Sequence, residues 1–288
     1  MLFTTVFMQH ALLAGTGVGL ACGLIGYLTV LRAQVFLGDA LGHVAFVGSL
    51  AALVSGLPLL LGLTISTVGA GALLGLLGQE NGGKRSAGGR GTGAQIADDV
   101  TIGSLFAWIL AIGACLLTLY TTRNSAGNAS AGVSVLFGSI LGLSATQAWT
   151  GLGVGLLVCV LTVLLARPLI FSTIDPAVAS ARGIPVRLLG IGFAALMGLC
   201  AAQASVSVGS LLLLGLIAAP GGAALALTAN PYRGLAVSGG IALGSVWLGL
   251  ALSTWIPNLT PSTAIIGVAG ACFVLAQLSG RLVQRTFA

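Results

Sequence analysis

Charge is what this chain lacks. Its 288 residues include eleven Lys and Arg, five Asp and Glu and two His, so charged side chains make up only 6%. A soluble domain carries about 25% because its surface must be wet. A water-facing surface of this size is therefore excluded. Cysteine is also sparse: Cys22, Cys115, Cys159, Cys200 and Cys272 are scattered, with no CxxC pair. That excludes a small extracellular scaffold stapled by disulfides. With only three Met, it also disfavours a thiolate–thioether path for a soft metal such as copper. These cysteines read as small buried apolar residues. Hydrophobic residues are 57% of the chain and its mean hydropathy is +1.11, which excludes disorder. The class left is an all-α, polytopic membrane protein.

A helix needs about 20 apolar residues to cross a hydrocarbon core of about 30 Å. Apolar runs of that kind occupy 10–31, 36–56, 57–78, 100–120, 144–166, 188–205, 207–228, 235–256 and 261–280. The 188–228 stretch reads either as two spans or as one span with a re-entrant piece, so eight or nine crossings are expected. No soluble domain and no internal repeat interrupts them, and residues 1–288 read as one transmembrane domain.

The breaks between runs hold the basic residues. With 167–187 inside and nine alternating spans, Arg32, Lys84, Arg85, Arg90, Arg167, Arg182, Arg187, Arg233, Arg281 and Arg285 all fall on the cytoplasmic side. Only Arg123 falls outside. This bias predicts an outer N-terminus and a cytoplasmic C-terminus. It also accounts for the net charge of +6 without a nucleic-acid partner. No Lys or Arg precedes Arg32, so the first apolar run lacks the basic start of a cleaved signal and is expected to be retained. Residues 79–98 are rich in Gly and read as a flexible cytoplasmic loop. Residues 122–132 read as a shorter outer loop.

Gly78–Arg85 imitates a phosphate-binding loop, but Arg85 stands where a magnesium-binding Ser or Thr is needed and no strand precedes it. No nucleotide site is expected in this chain. Glycines four apart, as at Gly71 and Gly75, Gly151 and Gly155, or Gly240 and Gly244, let helices approach closely. Gly209 and Pro220 are candidates for lining a pathway. The proline would free a backbone carbonyl one turn earlier.

Of the five acids, Asp39, Glu80, Asp98, Asp99 and Asp175, only Asp39 lies well inside a span. A carboxylate there costs about 2.5–3.5 kcal/mol on insertion scales, and no Lys or Arg within the spans offsets it. His43 follows four residues later and shares its helix face. With Arg32 at the bilayer edge, Asp39 lies about 10 Å deep and His43 about 16 Å deep. A structural pair gluing helices and a proton relay both use such groups. A hard oxygen beside a borderline nitrogen also suits Zn²⁺, Mn²⁺ or Fe²⁺. One chain supplies only two such ligands, and a symmetric dimer would supply four.

Between two long apolar runs lies STIDPAVASARGIPVRLLG (172–190). Asp175 suits an N-cap and Pro176 the first helical position. Gly183 suits a stop, and Pro185 blocks continuation. Arg182 and Arg187 flank this short helix. An ordinary capped connector and a docking element for a soluble partner both fit.

These segments resemble the permease subunits of the bacterial zinc/manganese/iron-uptake ABC transporters. LRAQVFLGDALGHVAFVG (31–48) is similar to the family's SFLGDALSHAALPG. ADDVTIGSLFA (97–107) is similar to EDTAIGILFA, and VLFGSILGLS (135–144) to LFGSILAVS. IDPAVASARGIPVRLL (174–189) resembles FDPEFARALGIPVRLL, and VSVGSLLLLGLIAAPGGAALAL (206–227) resembles VVGVLLVAALLIIPAATA. Gly42 and Val44 depart from the family's Ser and Ala. The resemblance implies a non-enzymatic permease working as a homodimer in the bacterial cytoplasmic membrane. It implies two ATP-binding subunits and an extracytoplasmic metal-binding protein as partners. The metal would be transported, not held as a cofactor, and would pass Asp39 and His43. The coupling helix would cover about 175–187, with Asp175, Pro176, Arg182, Gly183, Pro185 and Arg187. A proton-coupled secondary transporter using Asp39 and His43 as a relay is the alternative. An importer of larger cargo, such as a metal chelate, is a further rival.

Overall fold

The computed structural model describes residues 6–85, 92–123, 138–210, 212–256 and 259–286. Side chains are described for these except 77–85, 92–103, 105, 123 and 280–286. Among the described residues every regular element is helical. In order they are α1 (Val6–Leu31), α2 (Val35–Ser55), α3 (Leu59–Arg85), α4 (Thr92–Arg123), a 3-10 turn (Ile140–Gly142), α5 (Ala145–Ile174), α6 (Pro176–Ala181), α7 (Val186–Ser207), α8 (Leu213–Leu227), α9 (Pro231–Trp255) and α10 (Pro261–Thr286). An apolar medium forces this choice, since helices satisfy their backbone groups internally.

Among the described residues, seven helices are long and apolar enough to cross a membrane: α1, α2, α3 over Leu59–Leu76, α5, α7, α9, and α10 over Pro261–Ser279. Two apolar helices are shorter, Phe106–Thr122 within α4 and α8 itself. The run 207–228 is therefore not one continuous span. Helix α7 ends at Ser207, Gly209 takes a φ of +102°, and α8 has only 15 residues. At 1.5 Å per residue it is about 22 Å long, short of a 30 Å core.

Helix also occupies most of 79–98. α3 continues to Arg85 and α4 begins at Thr92, so only 86–91 of that stretch lie outside the described residues. Gln79, Glu80, Lys84 and Arg85 are good helix formers. Adding one residue to an existing helix avoids the cost of nucleation, and each Gly costs only about 1 kcal/mol. Gly78–Arg85 thus lies along a helix end, which is not a phosphate-loop geometry. Residues 124–132 of the expected outer loop lie outside the described residues.

α1 forms the centre of the bundle and contacts α5, α7, α8 and α9. Cys22, Ile25, Tyr27 and Leu28 on it are buried. Lipid offers no hydrophobic drive for helix pairing, so close backbone approach and interhelical hydrogen bonds supply the attraction. α1 and α5 cross where Gly17 meets Gly155: a Cβ at Gly155 would overlap the Gly17 backbone. α9 is tied to α1 by Ser238 Oγ, which donates to the Gly23 carbonyl at 2.6 Å. The Gly240–Gly244 pair on α9 has open space around it. The α9 contact with α10 is made at Gly249, where an added Cβ would lie 2.5 Å from Ile265 Cα.

Candidate functional site

α2 follows a tight reversal in which Ala33 adopts a φ of +53° and Gln34 N donates to the Thr29 carbonyl at 2.9 Å. Seated among α3, α4, α7 and α8, it buries Gly38, Ala40, Leu41, Gly42, Val44 and Ala45. Asp39 and His43 share one of its faces. His43 Nε2 lies 3.9 Å from Asp39 Oδ1, with the two side chains 15% and 33% exposed. That separation is too long for a hydrogen bond.

α4 covers part of this face. The Phe106 ring meets the His43 imidazole edge-on, with centroids 4.7 Å apart and planes at 84°. This aromatic contact limits the tilt of the imidazole. The adjoining face meets the α7–α8 break, where a Cβ on Gly42 would lie 2.9 Å from the Ser210 carbonyl oxygen and 3.3 Å from Leu213 Cδ2. α8 therefore starts beside the middle of α2. Gly209 sits in this break, while Pro220 is buried inside α8. Ser205 Oγ and Ser210 Oγ, on either side of Gly209, are buried without a hydrogen-bond partner. Among the described residues no third His, Cys, Asp or Glu joins Asp39 and His43.

The segment after α5 is capped as its residues dictate. Asp175 Oδ1 accepts from Val178 N at 3.0 Å, Pro176 opens α6, and Arg182 closes it. Gly183 follows with a φ of +79°, and Pro185 is the N-cap of α7. The Arg182 guanidinium sits 5.6 Å from the Phe171 ring centroid, so α6 is folded back onto α5. Arg167, Arg182, Phe171 and Ile184 line a cavity of about 340 Å³ beside it. The side chain of Arg187, in the first turn of α7, is exposed. Asp175→Ala is expected to destabilise the short helix by about 1 kcal/mol. Gly183→Ala, which forces a Cβ into the left-handed region, is expected to cost a similar amount. Thermal unfolding of the detergent-solubilised protein measures both.

A second cavity, of about 130 Å³, lies where the start of α3, the 3-10 turn, the start of α5 and the end of α7 meet. Ser139, Gln147 and Ser205 are its polar lining. It lies at the ends of the helices opposite to α6. Of the cysteines read as small buried residues, Cys22 and Cys200 are buried with their sulfurs 3.6 Å apart, whereas Cys115 is exposed. Sequence reading placed the Asp–His pair and the capped helix but missed Phe106 and the partnerless serines. The signal for the latter lies in SVSVGS (205–210), where Ser and Gly interrupt an apolar run.

The described residues thus form a helical membrane bundle with a carboxylate and an imidazole on one helix face and a capped six-residue helix between two spans. The chain belongs to the ABC 3 transport family, which matches residues 4–280. This is the metal-uptake permease family that its motifs resemble. The chain is accordingly a multi-pass, non-catalytic permease, with ATP hydrolysis in a separate subunit. The manganese transport system membrane protein MntC of Halalkalibacterium halodurans is 31% identical over 273 residues, spanning 94% of this chain and 86% of that one. The chelated iron transport system membrane protein YfeD of Yersinia pestis is 25% identical over 275 residues, spanning 96% and 83%. Among solved structures, PsaBC from Streptococcus pneumoniae in complex with Fab superimposes with a TM-score of 0.78 at 23% identity. The match covers 96% of this chain and 92% of that one, and the two share a fold.

Proposed function

We propose that the chain is the channel-forming half of an ATP-driven importer of a divalent transition metal, and that Asp39 and His43 bind the ion partway across. The observation that carries this reading is the pair itself. Within an ABC 3 permease, one carboxylate oxygen and one imidazole nitrogen stand 3.9 Å apart, both partly accessible, on a helix otherwise seated in the bundle. A doubly charged ion offsets a carboxylate that is costly to bury alone. Two ligands from one chain are too few. A second permease related by a two-fold axis along this face would bring the count to four, a number that suits these metals. MntC is a manganese transport protein and YfeD a chelated iron transport protein, which favours Mn²⁺ and Fe²⁺. Zinc rests on the motif resemblance and on the ligand types.

α6 is the element that meets the ATP-binding subunits. It is short and capped at both ends, and the adjoining cavity offers two guanidinium groups to acidic side chains of the partner. The excess of basic residues around it supports a cytoplasmic side here, in a bacterial inner membrane with the N-terminus outside. An extracytoplasmic binding protein delivers the ion at the opposite face.

Uptake by the permease and its ATPase in proteoliposomes tests the reading. ⁵⁴Mn²⁺ accumulation is expected to require ATP, to persist when the proton gradient is collapsed, and to be competed by Fe²⁺. Accumulation that stops with the gradient and ignores ATP would overturn it in favour of a proton relay through Asp39 and His43.

A further inference from the structure

Arg32 is the first charged residue of the chain, seven positions before Asp39 in the reversal that opens α2. Its side chain turns back into the protein. Nε donates to Thr173 Oγ1 at 2.9 Å, and one terminal nitrogen donates to Ser172 Oγ at 3.1 Å. The guanidinium carbon lies 5.0 Å from the centroid of the buried Phe193 ring. No carboxylate forms an ion pair with Arg32 among the described residues, where the Asp39–His43 contact is the one pair found.

The two hydroxyls are prepared as acceptors. Ser172 Oγ donates its single hydrogen to the Leu169 carbonyl at 3.0 Å, and Thr173 Oγ1 donates to the same carbonyl at 2.6 Å. Their lone pairs are then left for the guanidinium. The planar fork of arginine matches two oxygens and an aromatic face at once. A lysine ammonium would match them less well.

The positions of these partners matter more than their strength. Ser172 and Thr173 are the last residues before Ile174 and the Asp175 cap of α6. Phe193 lies in the second turn of α7, on the other side of α6. Arg32 thus joins both flanks of α6 to the start of the helix that carries Asp39 and His43. We infer that Arg32 is a positioning residue that transmits displacement of α6 to α2. When the ATP-binding subunits shift α6, the ends of α5 and α7 move with it. The hydrogen-bonded fork then carries the start of α2 along, while Asp39 and His43 stay one turn apart on their own helix.

This inference rests on the proposed roles of α6 and of the Asp39–His43 pair. It is tested in the full transporter reconstituted with its ATPase, using Mn²⁺ as cargo. The variants are Arg32→Gln, Arg32→Lys, the double change Ser172→Ala/Thr173→Val, and the combination of Arg32→Gln with that double change. Initial rates across Mn²⁺ concentrations are read beside ATP hydrolysed per Mn²⁺ moved. Arg32→Gln is expected to lower maximal uptake about ten-fold, the worth of hydrogen bonds to a charged group. KM should stay within about two-fold, because neither metal ligand is touched. ATP consumed per ion should rise by a similar factor. Arg32→Lys should fall between, and the combination should be no worse than either part, as for residues acting through one contact. If Arg32→Gln fails to accumulate, the Ser172→Ala/Thr173→Val variant reads the same quantities.

The inference is overturned if uptake and hydrolysis fall in proportion, if KM alone rises, or if the two sets of changes are additive. Asp39→Asn measured in parallel separates the two layers. Normal uptake by Asp39→Asn sinks the metal-site reading. A changed ATP-to-ion ratio in Arg32→Gln still stands as a coupling defect.

Discussion

Asp39→Asn and His43→Ala are each expected to reduce Mn²⁺ uptake by two orders of magnitude or more. Removing even a group that only orients a metal ligand costs about 10–100-fold in affinity or activity, and these two side chains are the proposed ligands themselves. The amount of permease in the membrane should not fall. Asp39→Asn removes a charge that is costly inside the bilayer, so it relieves folding while it removes function. His43→Ala takes away an edge-on contact with Phe106 worth about 0.5–1.5 kcal/mol. Uptake kinetics and membrane abundance, measured together, decide the matter. Uptake within two-fold of normal in both variants rules out the ligand role. Loss of the protein from the membrane in both would make the pair a structural one.

The second large effect is expected at the α1–α5 crossing. Gly155→Val should prevent recovery of folded permease, and Gly17→Val should do the same. A Cβ at Gly155 would overlap the Gly17 backbone, and one at Gly17 would come within 2.8 Å of Leu152 Cα and 3.1 Å of the Gly151 carbonyl oxygen. Backbone cannot rotate aside as a side chain does. The helices would have to separate, and α1 would lose its contact with α5 along the centre of the bundle. Overpacking costs about 1–3 kcal/mol where side chains can adjust, and more is expected where they cannot. The control is Gly240→Val on α9, where nothing lies within 4 Å of an added Cβ. It should be recovered normally. Size-exclusion profiles and thermal unfolding of the three variants in detergent check the contrast.

That control shows where sequence pattern runs out. Gly240–Gly244 and Gly151–Gly155 read identically as small residues four apart. Only one of the two pairs faces a neighbouring helix of this chain. The pattern says that a backbone is able to approach closely, not that another backbone is present. The residues 79–98 are a similar case. Their glycines suggested a loop, yet helix reaches Arg85 from one side and starts at Thr92 on the other, because propagation from an established helix is cheap. The capped helix after α5 was fully legible, since Asp175, Pro176, Gly183 and Pro185 each act on the backbone within a few residues.

The sequence by itself determined what depends on local chemistry and on the solvent. Sparse charge with long apolar runs required a helical membrane protein. The spacing of Asp39 and His43 put a carboxylate and an imidazole one turn apart, whatever surrounds them. The tertiary structure alone decided which groups meet across long separations in the chain. Phe106 closes on His43, Ser210 comes against Gly42, and Arg32 reaches Ser172 and Thr173 some 140 residues away. The reason is physical. Helix formation and capping are set by interactions within about four residues, whereas contacts between helices follow from how every face in the bundle packs at once.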